Sequence, residues 1–497
     1  MITSSSLNFF LSILLLAISA SVIRVIYNLF LHPLHSFPGP LLARSFFLVS
    51  QIQRINGRYH LWLHELHTRY GPVVRVTPNQ ISTIEPEAWK EIYGHKASNL
   101  QKDWAFYGPD AFGSPTGIIR ADNVAHSRQR KLVSPAFSDR ALQSQEQILK
   151  RYAVLLASQL KEKSKRDEPI DMVRWYNFTT FDIMADLTFG DSLKLLENSE
   201  YTPWVTNTFG SVKMIVLGSL GREWPLFSKI VNRLIPAKTK EERDRHMRYT
   251  VERLEKRLAR KTDRPDIWTH VMKYADSEEN ESKGLHPMEM QSNASTFMFA
   301  GTETTATELS GLTYFLLKNP EKLQRLTKEV RDAFPTYDYI NMNVLPKLPY
   351  LCACIEEGLR IYPPVSIGLP RRTPQGGAQV GCNWFPSGVV MSVPQYAAYH
   401  SPLNFKDPDS FVPERWLPEG ESEYSSDRKE VLQPFLYGPR NCLGKNLAYH
   451  ELRLILATTV WHFDLELCPE SDGWPDQQQY LLWVKGPLFC RLRSVRG

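Results

Sequence analysis

The sequence predicts a mainly α-helical protein: one large helical domain carrying small β-sheets, behind a single N-terminal transmembrane helix. Three observations predict it. From about residue 60 to residue 360, apolar side chains recur at helical spacing, interrupted by Pro and Gly. Alternating runs that suit strands are few and short, at residues 73–76 and 388–393. The chain also opens on an apolar run, residues 7–23, that contains no charge.

Composition narrows the class. With 497 residues, 42% hydrophobic and 23% charged, the chain is neither a disordered tail, nor a collagen-like repeat, nor a disulfide-stapled miniprotein. A net charge of +6 is small for this length and excludes a dedicated nucleic-acid binder. No repeat, low-complexity tract or Gly/Ser-rich linker divides the chain after Pro40, so residues 41–497 read as one domain.

Residues 1–31 read as a membrane anchor. The run 7–23 continues past Arg24 to Leu31, long enough to cross a hydrocarbon core that needs about 20 residues. A cleaved signal peptide is the competing reading, but the segment before Leu7 has no Lys or Arg to form its basic region. Basic residues follow the run (Arg24, Arg44) and none precede it, which places the body on the cytosolic side. Residues 32–40 hold Pro33, Pro38 and Pro40, cannot continue a helix, and read as a stiff hinge. Three glycosylation sequons, at Asn177, Asn280 and Asn293, then fall on the cytosolic side and read as chance matches. The six cysteines all lie beyond residue 351, so they form no disulfide framework and fit a reducing compartment. Cys352 and Cys354 are spaced CxC, which turns them to different helix faces and argues against a zinc pair. The charged stretch 238–264 reads as a solvated helix face.

Two segments carry chemistry. No proline interrupts residues 288–319, bracketed by Pro287 and Pro320, so about 30 residues can form one rod of roughly 45 Å. Its apolar middle turns abruptly polar at Gly301-Thr302-Glu303-Thr304-Thr305, which suggests a core helix carrying a site. Near the C-terminus the chain reads Phe435-Leu436-Tyr437-Gly438-Pro439-Arg440-Asn441-Cys442-Leu443-Gly444. Cys442 sits in a turn-rich loop just before a helical stretch, 446–459. Backbone N–H groups there, with Arg440, are expected to lower the thiol pKa and hold a thiolate. An inert buried thiol is the ordinary fate of a lone cysteine.

This loop resembles the FxxGxRxCxG signature of the haem-thiolate cytochrome P-450 superfamily. Five specified positions tried along the chain give on the order of 10⁻⁴ accidental matches. Three further motifs follow the family's order. Glu357-Gly358-Leu359-Arg360 is similar to its ExxR, the i,i+3 spacing putting both side chains on one helix face. Pro413-Glu414-Arg415-Trp416 resembles its PERF/PERW element, and Ala300-Gly301-Thr302-Glu303-Thr304-Thr305 its (A/G)Gx(D/E)T(T/S) motif. The resemblance spans nearly the whole chain, from Pro38-Gly39-Pro40 to the last strands.

The resemblance implies the P-450 fold and haem b with Cys442 as the axial ligand of its iron, Phe435 opening the cysteine loop. Glu357, Arg360 and Arg415 form a buried charged triad behind the haem. Arg440, Arg371 and Arg130 are the candidates for its carboxylates, since a guanidinium fork pairs bidentately with a carboxylate. The family often has Trp where His126 stands; a surface histidine is the expectation here. Ala300 and Gly301 leave room for a diatomic ligand. Glu303 and Thr304 are the catalytic pair, an acid and an alcohol that deliver protons. The Thr304 hydroxyl, one turn beyond Ala300, bonds back into the helix and loosens it.

The implied activity is a monooxygenase reaction using O2 and supplied electrons: hydroxylation, epoxidation or a related oxidation. Only 55 residues follow Cys442, too few for a fused flavin domain. The implied partner is a separate membrane-bound NADPH–cytochrome P-450 reductase, with cytochrome b5 as a further donor, docked near Lys445. The implied location is the endoplasmic reticulum membrane, single-pass with a cytosolic catalytic domain. Substrate-facing segments are expected at 104–119, 206–226, 297–305, 365–369 and 484–488, where Trp104, Phe106, Phe112, Phe297 and Leu369 suit a bulky lipophilic molecule. The hinge and cysteine-loop details look like the fungal secondary-metabolism branch, which includes isotrichodermin-type trichothecene hydroxylases, so a polyketide, terpenoid or alkaloid intermediate is the expected substrate. Two alternatives stand beside this: a haem-thiolate isomerase or dehydratase that does not activate O2, and a non-catalytic membrane haem-binding protein.

Overall fold

The computed structural model describes residues 4–95, 100–108, 116–223, 229, 233, 237–275 and 284–496. The first helix, Ser4–Ile26, runs into one wider turn at Tyr27–Leu31. Its apolar stretch Leu11–Leu31 is long enough to cross a membrane, and Leu15, Leu16, Ile23, Phe30 and Leu31 face outward rather than into a core. The segment expected to be a hinge is clasped to the body. The Arg75 amide donates to the Pro38 carbonyl at 2.7 Å. The Arg75 guanidinium is fully buried and donates to the carbonyls of Asn28 (2.8 Å), Leu34 (3.3 Å) and Pro78 (2.9 Å). A Cβ on Gly39 would lie 2.2 Å from the Arg75 carbonyl, so only glycine permits this approach.

The short alternating runs form the expected strands, gathered into three small sheets. The largest has the order β1-β2-β5-β4-β3, with β1 at Val73–Thr77, β2 at Gln80–Thr83, β3 at Gln101–Lys102, β4 at Arg371–Arg372 and β5 at Val390–Ser392. The β2–β5 pair is parallel and the others antiparallel. The strand expected at 388–393 is shortened because Gly388, at φ +85, still belongs to the preceding turn. Ile170–Asp171, Phe489–Ser494 and Phe463–Leu467 make a second sheet and Ala378–Val380 with Asn383–Phe385 a hairpin. One core lies among the helices and a second under the five-stranded sheet.

The proline-free rod is a 32-residue helix, Pro287–Lys318, about 48 Å long. Pro287 starts it at a position where a missing N–H is harmless. His286 Nδ1 accepts from the Met288 N–H at 3.2 Å, and Glu289 accepts from the His286 N–H at 3.0 Å. This central helix packs against the helices Met172–Phe189, Pro349–Ile361 and Lys445–His462. The charged helix Ala237–Leu258 departs from a purely solvated face at Arg257, which is buried and pairs bidentately with Asp266 at 2.6 and 2.7 Å. Two sequon asparagines are buried. Asn177 donates to the Tyr201 hydroxyl at 3.0 Å, and Asn293 bonds Gln129 and the Ile118 amide. Asn280 lies outside the described residues. All six cysteines are free.

Candidate active site

The cysteine loop is held in an unusual backbone path. Leu436 (φ 61) and Gly438 (φ 76) lie in the left-handed region. A Cβ on Gly438 would lie 2.0 Å from the Tyr93 carbonyl, so the motif glycine is a contact requirement. The Cys442 amide donates to the Phe435 carbonyl at 2.8 Å, closing the loop, and the Phe435 ring packs on Tyr449. Arg130 secures the residue beside the cysteine, donating to Asn441 O at 2.7 Å and Asn441 Oδ1 at 2.5 Å.

The Cys442 thiol borders open space although the surrounding protein desolvates it. Burial pushes its pKa up. The Gly444 N–H, then Arg130 and Lys445, pull it down without prevailing. The expectation of a protein-stabilised thiolate beside Arg440 is therefore corrected, because desolvation outweighs one N–H and two cations. Arg440 points elsewhere, donating to Ala121 O (3.1 Å) and Asn123 Oδ1 (2.7 Å), with Nη1 buried and unpartnered. A neutral thiol of this kind loses its proton when a metal takes the sulfur.

A cluster of cations surrounds Arg440. Arg371 is buried, with Nη1 donating to the Tyr107 hydroxyl at 3.3 Å. Burial, then Arg440 and Arg371, push Lys102 down to about 6. Burial, then Arg440, Lys102, Arg130 and Arg371, push His126 down to about 3. His126 is thus a buried neutral imidazole inside the cluster, not the expected surface histidine. Among the described residues, Lys102, Arg130, Arg371 and Arg440 have no carboxylate within ion-pair distance. Gly444, where a side chain would meet nothing within 4 Å, and Ala300, exposed in the middle of a core helix, border open space as well. One sulfur donor, open flanking surfaces and unbalanced buried positive charge fit a flat iron cofactor that carries two carboxylates. Lys102 joins this set although its neighbours in the chain form no motif, which is why sequence reasoning missed it.

On the central helix, the Thr304 hydroxyl donates to the Ala300 carbonyl at 2.7 Å, the expected back-bond. Gly301 is placed differently from expectation. A Cβ there would lie 2.7 Å from Met184 Sδ, so its smallness serves the approach of the helix Met172–Phe189 rather than a ligand. Glu303 is buried and ion-paired with Lys485, which also donates to Thr307 Oγ1 at 2.8 Å. Burial raises the Glu303 pKa and Lys485 lowers it; Oε2 has no partner. Lys485 lies 182 residues away in the chain, and nothing in the sequence links the two.

Of the expected substrate-facing segments, three meet in a small apolar cluster of Val216, Phe299 and Val365 with Tyr480, Leu481 and Leu482. The C-terminal contribution comes from 480–482 rather than 484–488, because Lys485 turns to Glu303. Phe297 belongs to the core, edge-on to Phe137. Phe112 lies outside the described residues.

The ExxR pair is buried and bidentate: Arg360 Nε and Nη2 donate to Glu357 at 2.9 and 2.8 Å. Arg415 Nε reaches Glu357 Oε1 at 3.2 Å. Two further partners were not read from the sequence. Asp427 takes Arg415 Nη1 at 2.6 Å, and the Trp416 indole donates to Glu357 Oε2 at 2.9 Å. Arg360 also binds the carbonyls of Tyr399, Pro408 and Ser410, tying together the coil that leads to the cysteine loop.

The family model for cytochrome P450 matches residues 37–490. A cytochrome P450 monooxygenase of Gibberella moniliformis, FUM2, is 46% identical over 95% of this chain and 100% of the relative. The monooxygenase efuB of Hormonema carpetanum is 44% identical over 95% of this chain and 94% of the relative. A trichothecene C-4 hydroxylase of Trichoderma arundinaceum is 41% identical over 97% of this chain and 96% of the relative.

Proposed function

Because the chain belongs to the cytochrome P450 family and is a haem-thiolate monooxygenase with haem b and a separate electron-donating reductase, we propose that Cys442 is its axial ligand and that its substrate is a bulky lipophilic intermediate of fungal secondary metabolism. The observation that carries the site assignment is Cys442 facing open space near Arg130, which gathers with Lys102, Arg371 and Arg440 around His126; among the described residues none of these four cations has a carboxylate partner. When bound, the haem supplies oxygen activation and insertion into an unactivated bond.

The chain's own residues do the rest. Arg371 and Arg440 hold the cofactor carboxylates, Arg440 with its free Nη1. Arg130 acts indirectly, its fork spent on Asn441 to fix the loop that presents Cys442 Sγ. The desolvated Cys442 thiol gives up its proton on ligation, and the Gly444 N–H then steadies the charged sulfur. Thr304 Oγ1 is the last proton donor to the oxygen side, where Ala300 leaves space. Glu303 recharges it when its carboxyl leaves Lys485, an exchange between two partners rather than a free relay. The Val216, Phe299, Val365 and Leu482 cluster excludes water and suits an apolar substrate. A relative that is a trichothecene hydroxylase supports a terpenoid-like molecule. Glu357, Arg360 and Arg415 support the cysteine loop and take no part in the chemistry.

The apolar helix within residues 1–31 is the anchor, residues 32–40 join it to the body, and residues 41–497 are the catalytic domain. On this reading the protein sits in the endoplasmic reticulum membrane with the domain in the cytosol, where NADPH–cytochrome P450 reductase, and cytochrome b5 as a further donor, meet it near Lys445; the apolar N-terminal helix supports it. The test is the reduced carbon monoxide difference spectrum beside Cys442→Ala. A strongly red-shifted Soret band lost in the variant supports the assignment. A band unchanged by the substitution refutes Cys442 as the ligand.

A further inference from the structure

The central helix carries a second acid, one turn past Thr304. Glu308 stands at i+4 from Thr304 and therefore on the same helix side. It is 1% exposed, and among the described residues neither carboxylate oxygen has a hydrogen-bond partner. Its side chain crosses to the helix Pro349–Ile361, where a Cβ on Gly358 would lie 2.2 Å from Glu308 Oε1; the glycine is the notch that receives the carboxyl. Two residues earlier on that helix, Glu356 Oε1 accepts the Tyr449 hydroxyl at 2.7 Å. Tyr449 belongs to the helix Lys445–His462 and lies under the Arg453 guanidinium, with Lys445 exposed at the helix start. Glu451, on the same helix, is also buried with both oxygens unpartnered, and it faces the Thr305 hydroxyl.

Three helices thus gather Glu308, Glu356, Glu451, Tyr449 and Thr305 between the polar knot of the central helix and a basic surface. The other charged side chains nearby are spoken for. Glu357 is bound by Arg360 and Arg415, while Lys445 and Arg453 mark the outer end. Burial and the like charge of Glu356 hold Glu308 well above the usual carboxylate range, and burial raises Glu451 to about 8. A buried acid held neutral is a proton donor that can be recharged.

We propose that Glu308 is a second proton source for Thr304, refilled from the Lys445–Arg453 surface through Tyr449 and Glu356 and parallel to Glu303. The Glu308 carboxyl gives its proton toward Thr304 Oγ1 as Thr304 passes its own hydroxyl proton onward. The Glu308 carboxylate then takes a proton from Glu356, which regains one from solvent past Tyr449. One solvent proton enters per proton delivered, only O–H bonds change, and no electron moves. A second source is useful because Glu303 is held by Lys485 and Thr307. The proposal rests on Thr304 as the last donor in a haem-thiolate enzyme.

The test is Glu308→Gln, which keeps the shape over Gly358 and cannot shuttle a proton, in the full-length holoenzyme with its reductase and NADPH alone. Three readouts apply: the reduced carbon monoxide spectrum, the infrared band of protonated carboxyls at neutral pH, and the share of NADPH electrons ending in free hydrogen peroxide. The expected variant keeps the red-shifted band and loses one protonated-carboxyl signal. Its peroxide share rises about twofold or more, and its solvent isotope effect on NADPH oxidation is larger. An unchanged infrared spectrum, or peroxide share and isotope effect equal to wild type, overturns the proposal. If Glu308→Gln does not fold, Glu356→Gln cuts the same line one step outward and is read the same way. A wild-type protein with no red-shifted band overturns the haem-thiolate reading together with the relay, whereas failure confined to the variants overturns the relay alone.

Discussion

Removing the Asp427 charge isolates how the cysteine loop is supported. Arg360 and Arg415 bring two positive charges, Glu357 and Asp427 two negative ones, and all four side chains are 0% exposed. The quartet is neutral; the triad visible in the sequence alone carries a net +1. Asp427→Asn keeps the shape and leaves an oxygen to accept the Lys406 amide, now bonded to Asp427 Oδ1 at 2.7 Å. What it removes is the charge 2.6 Å from Arg415. Arg415 would keep Glu357 at 3.2 Å and the Lys406 carbonyl at 3.1 Å. Stranding one buried charge in this way costs about 3–5 kcal/mol. With a urea slope of about 3 kcal/mol/M, the midpoint for loss of the reduced carbon monoxide band should fall by about 1–1.7 M. Asp476→Asn is the matched control, since its pair with Arg58 is 3.1 Å long but 50% and 76% exposed. Such a pair is worth about 0–1 kcal/mol, so its midpoint should move by about 0.3 M or less. If Asp427→Asn shifts the midpoint no further than Asp476→Asn, charge balance is not what holds this coil and the reasoning fails.

Other substitutions test single contacts. Lys485→Met should make stability depend on pH. Without the ammonium, burial alone acts on Glu303 and raises its folded-state pKa; the variant is then most stable in acid and loses stability relative to wild type as pH climbs above about 4.5, the unfolded value. Melting curves from pH 4 to pH 8 would show it, and adding Glu303→Gln should flatten the difference. Gly301→Ala should cost about 1–3 kcal/mol because its methyl would lie 2.7 Å from Met184 Sδ; Met184→Ala added in cis should recover much of the loss in urea melts. Gly438→Ala combines a left-handed backbone with a Cβ 2.0 Å from the Tyr93 carbonyl and should abolish haem incorporation, read as the haem-to-protein absorbance ratio.

The sequence was most legible where one stretch of chain makes its own structure. Pro287, Pro320 and an uninterrupted run between them mark the central helix to within a residue or two, because its ends are fixed by local backbone chemistry. The cysteine loop was legible for the same reason: Gly438, Pro439 and Cys442 work within ten residues. Partners distant in the chain were not legible. Lys485 on Glu303, Asp427 on Arg415, Lys102 beside Arg440 and Met184 against Gly301 are set by tertiary packing, and no periodicity or motif records them. The hinge was half legible, since the prolines forbid a helix but do not tell that Arg75 will bind three carbonyls of the chain around it.

Charge in the interior explains how these distant residues belong together. One end of the site concentrates Lys102, Arg130, Arg371 and Arg440 around a neutral His126, and burial together with mutual repulsion makes that concentration unfavourable by itself. Behind the polar knot of the central helix lie Glu308 and Glu451, buried acids without an ion-pair partner among the described residues. The Glu357 quartet, by contrast, is balanced, which is what a permanent support requires. The two unbalanced regions need something further: an anionic cofactor at the cationic end, protons at the acidic end. A core built for stability alone would pair these groups or replace them with apolar ones. On the proposed reading, their unpaired state is where the fold gives up stability to hold a cofactor and move protons.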